Sequence, residues 1–99
     1  MKASQLYTTS TQSLSDTTLL GSDIAGTGKV EIIKTGTAHF CKGIYSATTG
    51  NITIKGVNDA ETEYRTFPVV VGLNDFGILF NKIDKATTTI TLSSTVFLL

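Results

Sequence analysis

Between Ile44 and Leu99, short apolar and Thr-rich runs alternate with turn residues, and no helical period persists for more than a few positions. Runs this short leave no room for the crossover helices of a parallel sheet. The chain is therefore expected to be all-β, closing with antiparallel strands as a small β-sandwich or barrel. Turn chemistry divides it into about seven short strands. Val30-Glu31-Ile32-Ile33-Lys34 reads as the first, and Gly36 breaks it. Ala38-His39-Phe40-Cys41-Lys42 follows and runs on into Ile44-Tyr45-Ser46 if Gly43 is a bulge or a point of close packing. Ala47-Thr48-Thr49-Gly50-Asn51 reads as a turn, with Gly50-Asn51 offering the positive φ of a tight hairpin. On the returning strand, Ile52 and Ile54 share one face while Thr53 and Lys55 share the other.

A second turn, Asn58-Asp59-Ala60-Glu61, precedes the strand Glu63-Tyr64-Arg65-Thr66-Phe67, which Pro68 ends or marks as an edge. Val69-Val70-Val71 reads as a short buried run and Gly72-Leu73-Asn74-Asp75 as another turn. Residues 76–83 are apolar on both faces, which places them in a core or an interface. In the last strand Ile90, Leu92, Val96 and Leu98 point one way, and Thr89, Thr91, Ser93 and Thr95 the other. Phe97 and Leu99 break that alternation, so both faces are expected to be covered there.

Residues 1–28 differ in character from the domain expected over residues 29–99. Thr8-Thr9-Ser10-Thr11-Gln12-Ser13, Gly21-Ser22-Asp23 and Gly26-Thr27-Gly28 are polar turn-formers. Leu6, Tyr7, Leu14, Leu19, Leu20 and Ile24 are scattered among them. One reading is an unstructured tail. The other is an extended N-terminal arm that orders against a neighbouring subunit, because so many large apolar residues are unusual in a free tail.

Only 16% of the 99 residues are charged, and 18 threonines fill part of that gap. Threonine is β-branched and suits strands, while its hydroxyl tolerates both water and a hydrogen-bonded interface. A surface with few ions is also cheap to desolvate under a partner. The 8 basic and 8 acidic residues cancel, so the clustered positive charge that nucleic acid demands is missing, and no direct nucleic-acid contact is expected. No stretch has the length and apolarity of a membrane span, and Met1-Lys2-Ala3-Ser4-Gln5-Leu6-Tyr7-Thr8 lacks the apolar core of a secretory signal. The single cysteine, Cys41, forms no intrachain disulfide and no metal-ligand pattern, consistent with synthesis in a cytoplasm.

Four groupings invite a chemical reading, and each has a plainer one. His39 and Cys41 sit two apart, on one face of a strand with Cβ atoms about 6.5 Å apart. No third member or oxyanion hole accompanies them, so a sheet-facing imidazole beside a semi-buried thiol is expected. Asp59, Glu61 and Glu63 lack the glycine and spacing of a calcium loop and read as a solvated acidic turn. In Gly26-Thr27-Gly28-Lys29 the lysine is followed by Val30 and a strand, not by Ser or Thr and a helix, so a phosphate loop is rejected. Tyr45, Tyr64, Phe67, Phe76 and Phe80 have no basic neighbours to make a nucleic-acid platform, and read as core or interface aromatics. No catalytic residue, metal or cofactor is expected, and the chain does not read as an enzyme.

The run Ile44-Tyr45-Ser46-Ala47-Thr48-Thr49-Gly50-Asn51-Ile52-Thr53-Ile54 resembles a segment of small tailed-phage structural proteins of the head spike-base or capsid-decoration kind. The later elements of those chains correspond to residues 63–67, Pro68, 77–83, 87–89 and 96–99 here, about half the chain, while residues 1–43 lie outside the likeness. The resemblance implies a non-enzymatic virion subunit that forms a homo-oligomer, trimer or pentamer, and binds capsid or other virion proteins. Contact is then expected through Tyr7, Leu19 and Leu20 in the arm and through Phe97, Leu98 and Leu99 at the C-terminus. The alternative is a stand-alone carbohydrate- or protein-binding β-sandwich with Tyr45 and Tyr64 as its platform.

Overall fold

The computed structural model describes residues 18–99, and over them the chain is all-β and antiparallel. Among the described residues there are nine strands: β1 (Thr18–Leu20), β2 (Lys29–Glu31), β3 (Ile33–Lys34), β4 (Thr37–Ala38), β5 (Cys41–Ser46), β6 (Gly50–Gly56), β7 (Arg65–Val69), β8 (Gly72–Asp84) and β9 (Val96–Leu98). Single 3-10 turns occupy Gly21–Asp23 and Leu92–Ser94. One sheet runs β1-β9-β5-β8-β6-β7, with β2 also on β8; β3 and β4 form a separate hairpin around Thr35-Gly36.

The long strand β8 dictates the shape. It lies between β5 and β6, so these two do not form the hairpin that Gly50-Asn51 suggests. Ser46 pairs with Gly72 at the start of β8, while Ile54 pairs with Ile83 near its end, which places Gly50 beyond Asp84. A straight strand of 13 residues spans about 43 Å, yet residues 47–49 bridge at most about 14 Å. Strand β8 must therefore bend. The bend falls where Gly43 pairs with Asp75 but Cys41 pairs with Phe80, leaving three extra residues on β8. Gly77 sits there at φ 75°, a conformation that glycine adopts without a Cβ penalty, and its N–H donates to the Asp75 carboxylate at 2.9 Å. A strand that switches layers through such a bend makes the corner of a two-layer β fold. The first layer holds β1, β9, β5 and Gly72–Asp75; the second holds the rest of β8 with β2, β6 and β7.

The core lies between the layers. Leu19, Phe97 and Ile44 pair across β1, β9 and β5 and face inward; Ile52, Ile54, Phe80 and Ile83 meet them from the second layer. The Phe80 ring lies edge-on to Phe97 at 6.4 Å and to Phe76 at 5.9 Å, and Phe76 reaches Phe67 at 5.3 Å. Thr53 and Lys55 are buried as well, so β6 is covered on both faces.

Three more expectations change. Val69-Val70-Val71 is not a buried run: Val69 is buried, but Val70 and Val71 form an exposed turn, and Gly72-Leu73-Asn74-Asp75 begins β8. Residues 76–83 are not covered on both faces throughout, since Leu79 points outward. Residues 87–95 are not a strand, and the last strand is only Val96–Leu98. Threonine hydroxyls replace ladder bonds there: Thr88 Oγ1 accepts from Thr53 N at 3.1 Å and Thr89 Oγ1 from Asn51 N at 2.8 Å. Gly50 is needed for this close approach and not for a turn, because a Cβ on it would lie 2.6 Å from Thr89 Oγ1.

Candidate interaction surface

Strand alternation sends one residue into the core and the next outward. The inward row Leu19, Phe97, Ile44 and Asn74 is therefore accompanied by an outward row, and the registers identify it. Leu20 pairs with Val96, Val96 with Tyr45, and Tyr45 with Leu73, across β1, β9, β5 and β8. Directly opposed side chains on one sheet face stand about 5 Å apart, within contact distance. Leu20 is 48%, Tyr45 50% and Leu73 58% exposed, and Val96 is half-buried between them. Val70 and Val71, 59% and 64% exposed, extend the row past the edge of β8.

Asn74 keeps that extension in place. Its side chain is buried, accepts from Val70 N at 3.1 Å, and donates to Val70 O at 2.8 Å and Gly72 O at 3.0 Å. The Val70-Val71 turn is thus held open to solvent by three hydrogen bonds from one amide.

The contact residues expected from the sequence separate. Leu20 lies in the outward row. Leu19 and Phe97 are packed inside their own chain's core, out of reach of a partner, because they occupy the inward positions of β1 and β9. Leu98 is half-buried on the outward side beside Gly43, and Leu99 packs against the core. Tyr7 lies outside the described residues. From Thr18 onward the expected arm is part of the domain: β1 pairs with β9, and Ile24 is buried in the core. Tyr45 was expected as an interface or platform aromatic, paired with Tyr64; its convergence with Leu73 and Val96 depends on which strands pair.

His39 lies between β4 and β5, so it does not share a strand face with Cys41, and the thiol and charged groups of the other groupings make contacts within the chain. The Cys41 thiol is buried, donates to Gly43 O at 3.0 Å, and is pushed up to about 11 by burial. That is about two units above an ordinary thiol, so a disulfide reagent at pH 8 should label the folded protein at least about a hundredfold more slowly than free cysteine. Rapid labelling without denaturant would contradict the burial. Asp59 accepts from Gly56 N at 3.0 Å and from Arg65 at 2.6 Å, on one wall of a cleft of about 290 Å³ shared with Val57, Ile78 and Leu79. Glu61 pairs instead with Lys82 at 2.8 Å, whose hydrogen bond and charge hold its carboxyl below the ordinary range. Lys29 reaches Asp84 at 3.9 Å and lies 5.4 Å from the centre of the Tyr64 ring. Tyr45 is on the first layer and Tyr64 leads into the second, so the two rings do not form one platform. Among the described residues no group of His, Cys, Asp and Glu is placed to hold a metal.

No protein-family model, no curated protein and no solved structure matches the chain.

Proposed function

We propose that this chain is a non-enzymatic virion structural protein of the capsid-decoration or head spike-base kind, which acts by associating with its own copies and with capsid subunits. The resemblance of residues 44–54 and the elements after them to such proteins supports the virion setting. The observation that carries the association itself is the outward row Leu20, Val96, Tyr45 and Leu73, extended by Val70 and Val71. Contiguous apolar surface of this kind, with no charged side chain in it, costs free energy in water and is recovered by covering it.

The test is Leu73→Glu. A charge within a covered apolar face cannot be buried unpaired, while the same charge on an open surface shifts folding stability by less than about 0.5 kcal/mol. Light scattering should show the natural chain as a multiple of 10.5 kDa and the variant as a monomer, with the melting temperature that the natural chain has at a dilution where it too is monomeric. A natural chain that stays monomeric at millimolar concentration and binds a glycan on an array would instead favour a carbohydrate-binding module.

A further inference from the structure

The outward row suggests its own occupant, an inference that rests on reading the row as an association surface. We propose that the row packs face to face on the same row of a second copy, about a two-fold axis parallel to β5 and β9. Leu20 of one copy then covers Leu73 of the other, and Val96 covers Tyr45.

Four observations support this arrangement. The first is composition: no member of the row is charged, so the face asks for no opposite charge from a different partner, and a two-fold contact uses the same patch on both subunits. The second is order. Across strands about 4.8 Å apart, the row runs about 14 Å from Leu20 to Leu73. Reversing it places the small Val96 against the large Tyr45 at the centre and leucine against leucine at both ends, the alternation of volumes that lets facing layers interlock.

The third is charge at the flank. The next outward positions are Thr18, Leu98, Gly43 and Asp75. Lys34 Nζ lies 2.7 Å from Thr18 O at one end of this flank, and the exposed Asp75 stands at the other. An axis parallel to the strands keeps the flank on the same side and exchanges its ends, so that Asp75 of each copy approaches Lys34 of the other. The fourth is extent. With Val70 and Val71, the exposures correspond to an apolar face on the order of 500 Å², at the upper end for a monomer. Two such faces together offer about 1,000 Å², the lower bound for a specific interface.

Two of the sheet edges offer poorer routes. Lys34 occupies the Thr18 carbonyl on β1, and Pro68 removes a donor from β7, the strands at the two ends of the path β1-β9-β5-β8-β6-β7. A ring would need a second, different surface. Ile33 and Phe40 near the hairpin, and Val57 and Leu79 on the second layer, are exposed outside the row, which makes the two arrangements separable.

The experiment uses two full-length single variants, Leu20→Cys and Leu73→Cys, mixed in dilute solution and concentrated together. A bis-maleimide is added whose reach matches the roughly 10 Å between stacked sheets. The expected result is a cross-linked dimer at least about tenfold more abundant in the mixture than in either variant alone, since the axis passes between Val96 and Tyr45 and keeps like positions apart. The buried Cys41 supplies no background. Equal cross-linking of either variant with itself would overturn the reversed packing. If the mixture gives no cross-link while light scattering shows a trimer or pentamer that Phe40→Glu dissociates, the two-fold contact is wrong and the assembly reading stands. A chain that is monomeric at millimolar concentration would overturn both.

Discussion

Replacing Phe80 by alanine should lower folding stability by about 3–5 kcal/mol. The side chain is fully buried and stands where β8 resumes pairing after its bend, opposite Cys41 on one edge and Gly56 on the other. Its ring touches Phe97 of the first layer and Phe76, which leads on to Phe67 of β7. Truncation therefore removes transfer energy and also leaves a cavity between two layers whose separation is fixed by their strands. A domain of this size has about 5–15 kcal/mol in total, so the loss is a large share of its stability. Urea titration followed by circular dichroism should show a lower midpoint at an unchanged slope. The neighbouring Leu79→Ala, on the outward face, should cost less than about 1 kcal/mol. Equal losses at the two positions would mean that residues 76–83 do not alternate as described.

Gly21→Ala should cost about 3 kcal/mol or more, for a different reason. A Cβ on Gly21 would lie 1.9 Å from the Leu92 carbonyl oxygen and 2.7 Å from its carbon. Both are backbone atoms, so no side chain can swing aside. The backbone of Gly21 is not left-handed, and the cost is one of contact alone. Relief requires the two 3-10 turns to part, which strains the bond from Gly21 N to Thr95 O at 2.8 Å and the adjoining β1–β9 pairing. Thermal melting of Gly21→Ala beside Ser22→Ala, an exposed neighbour, checks this: the serine variant should stay within about 0.5 kcal/mol of the natural chain. A melt for Gly21→Ala indistinguishable from that control would show that the two turns are not packed against each other.

The all-β class could be read from the residues because its signals are local. Alternation of Ile52 and Ile54 with polar neighbours, and breaks at Gly36 and Asn58-Asp59, belong to single segments. Pairing was not legible, because it depends on residues far apart in sequence. Nothing near Ser46 or Gly50 announces that β8 runs between their strands, and the bend at Gly77 that makes this possible is one glycine in an apolar run. The Thr-rich segment misled for a physical reason: β-branching favours extended backbone, but these hydroxyls compete for the donors of β6 and hold the chain in turns. The interaction surface was partly visible. Leu20 stood out as an apolar residue without a local role, whereas Tyr45, Val96 and Leu73 join it only through three strand registers.

The central claim, that the outward row exists to be covered, is most directly tested by amide and methyl chemical shifts of the natural chain recorded from micromolar to millimolar concentration. The account predicts concentration-dependent shifts confined to Leu20, Val96, Tyr45, Leu73, Val70 and Val71 and their immediate neighbours. Spectra that do not change with concentration, or changes centred on Ile33 and Phe40 instead, would contradict it.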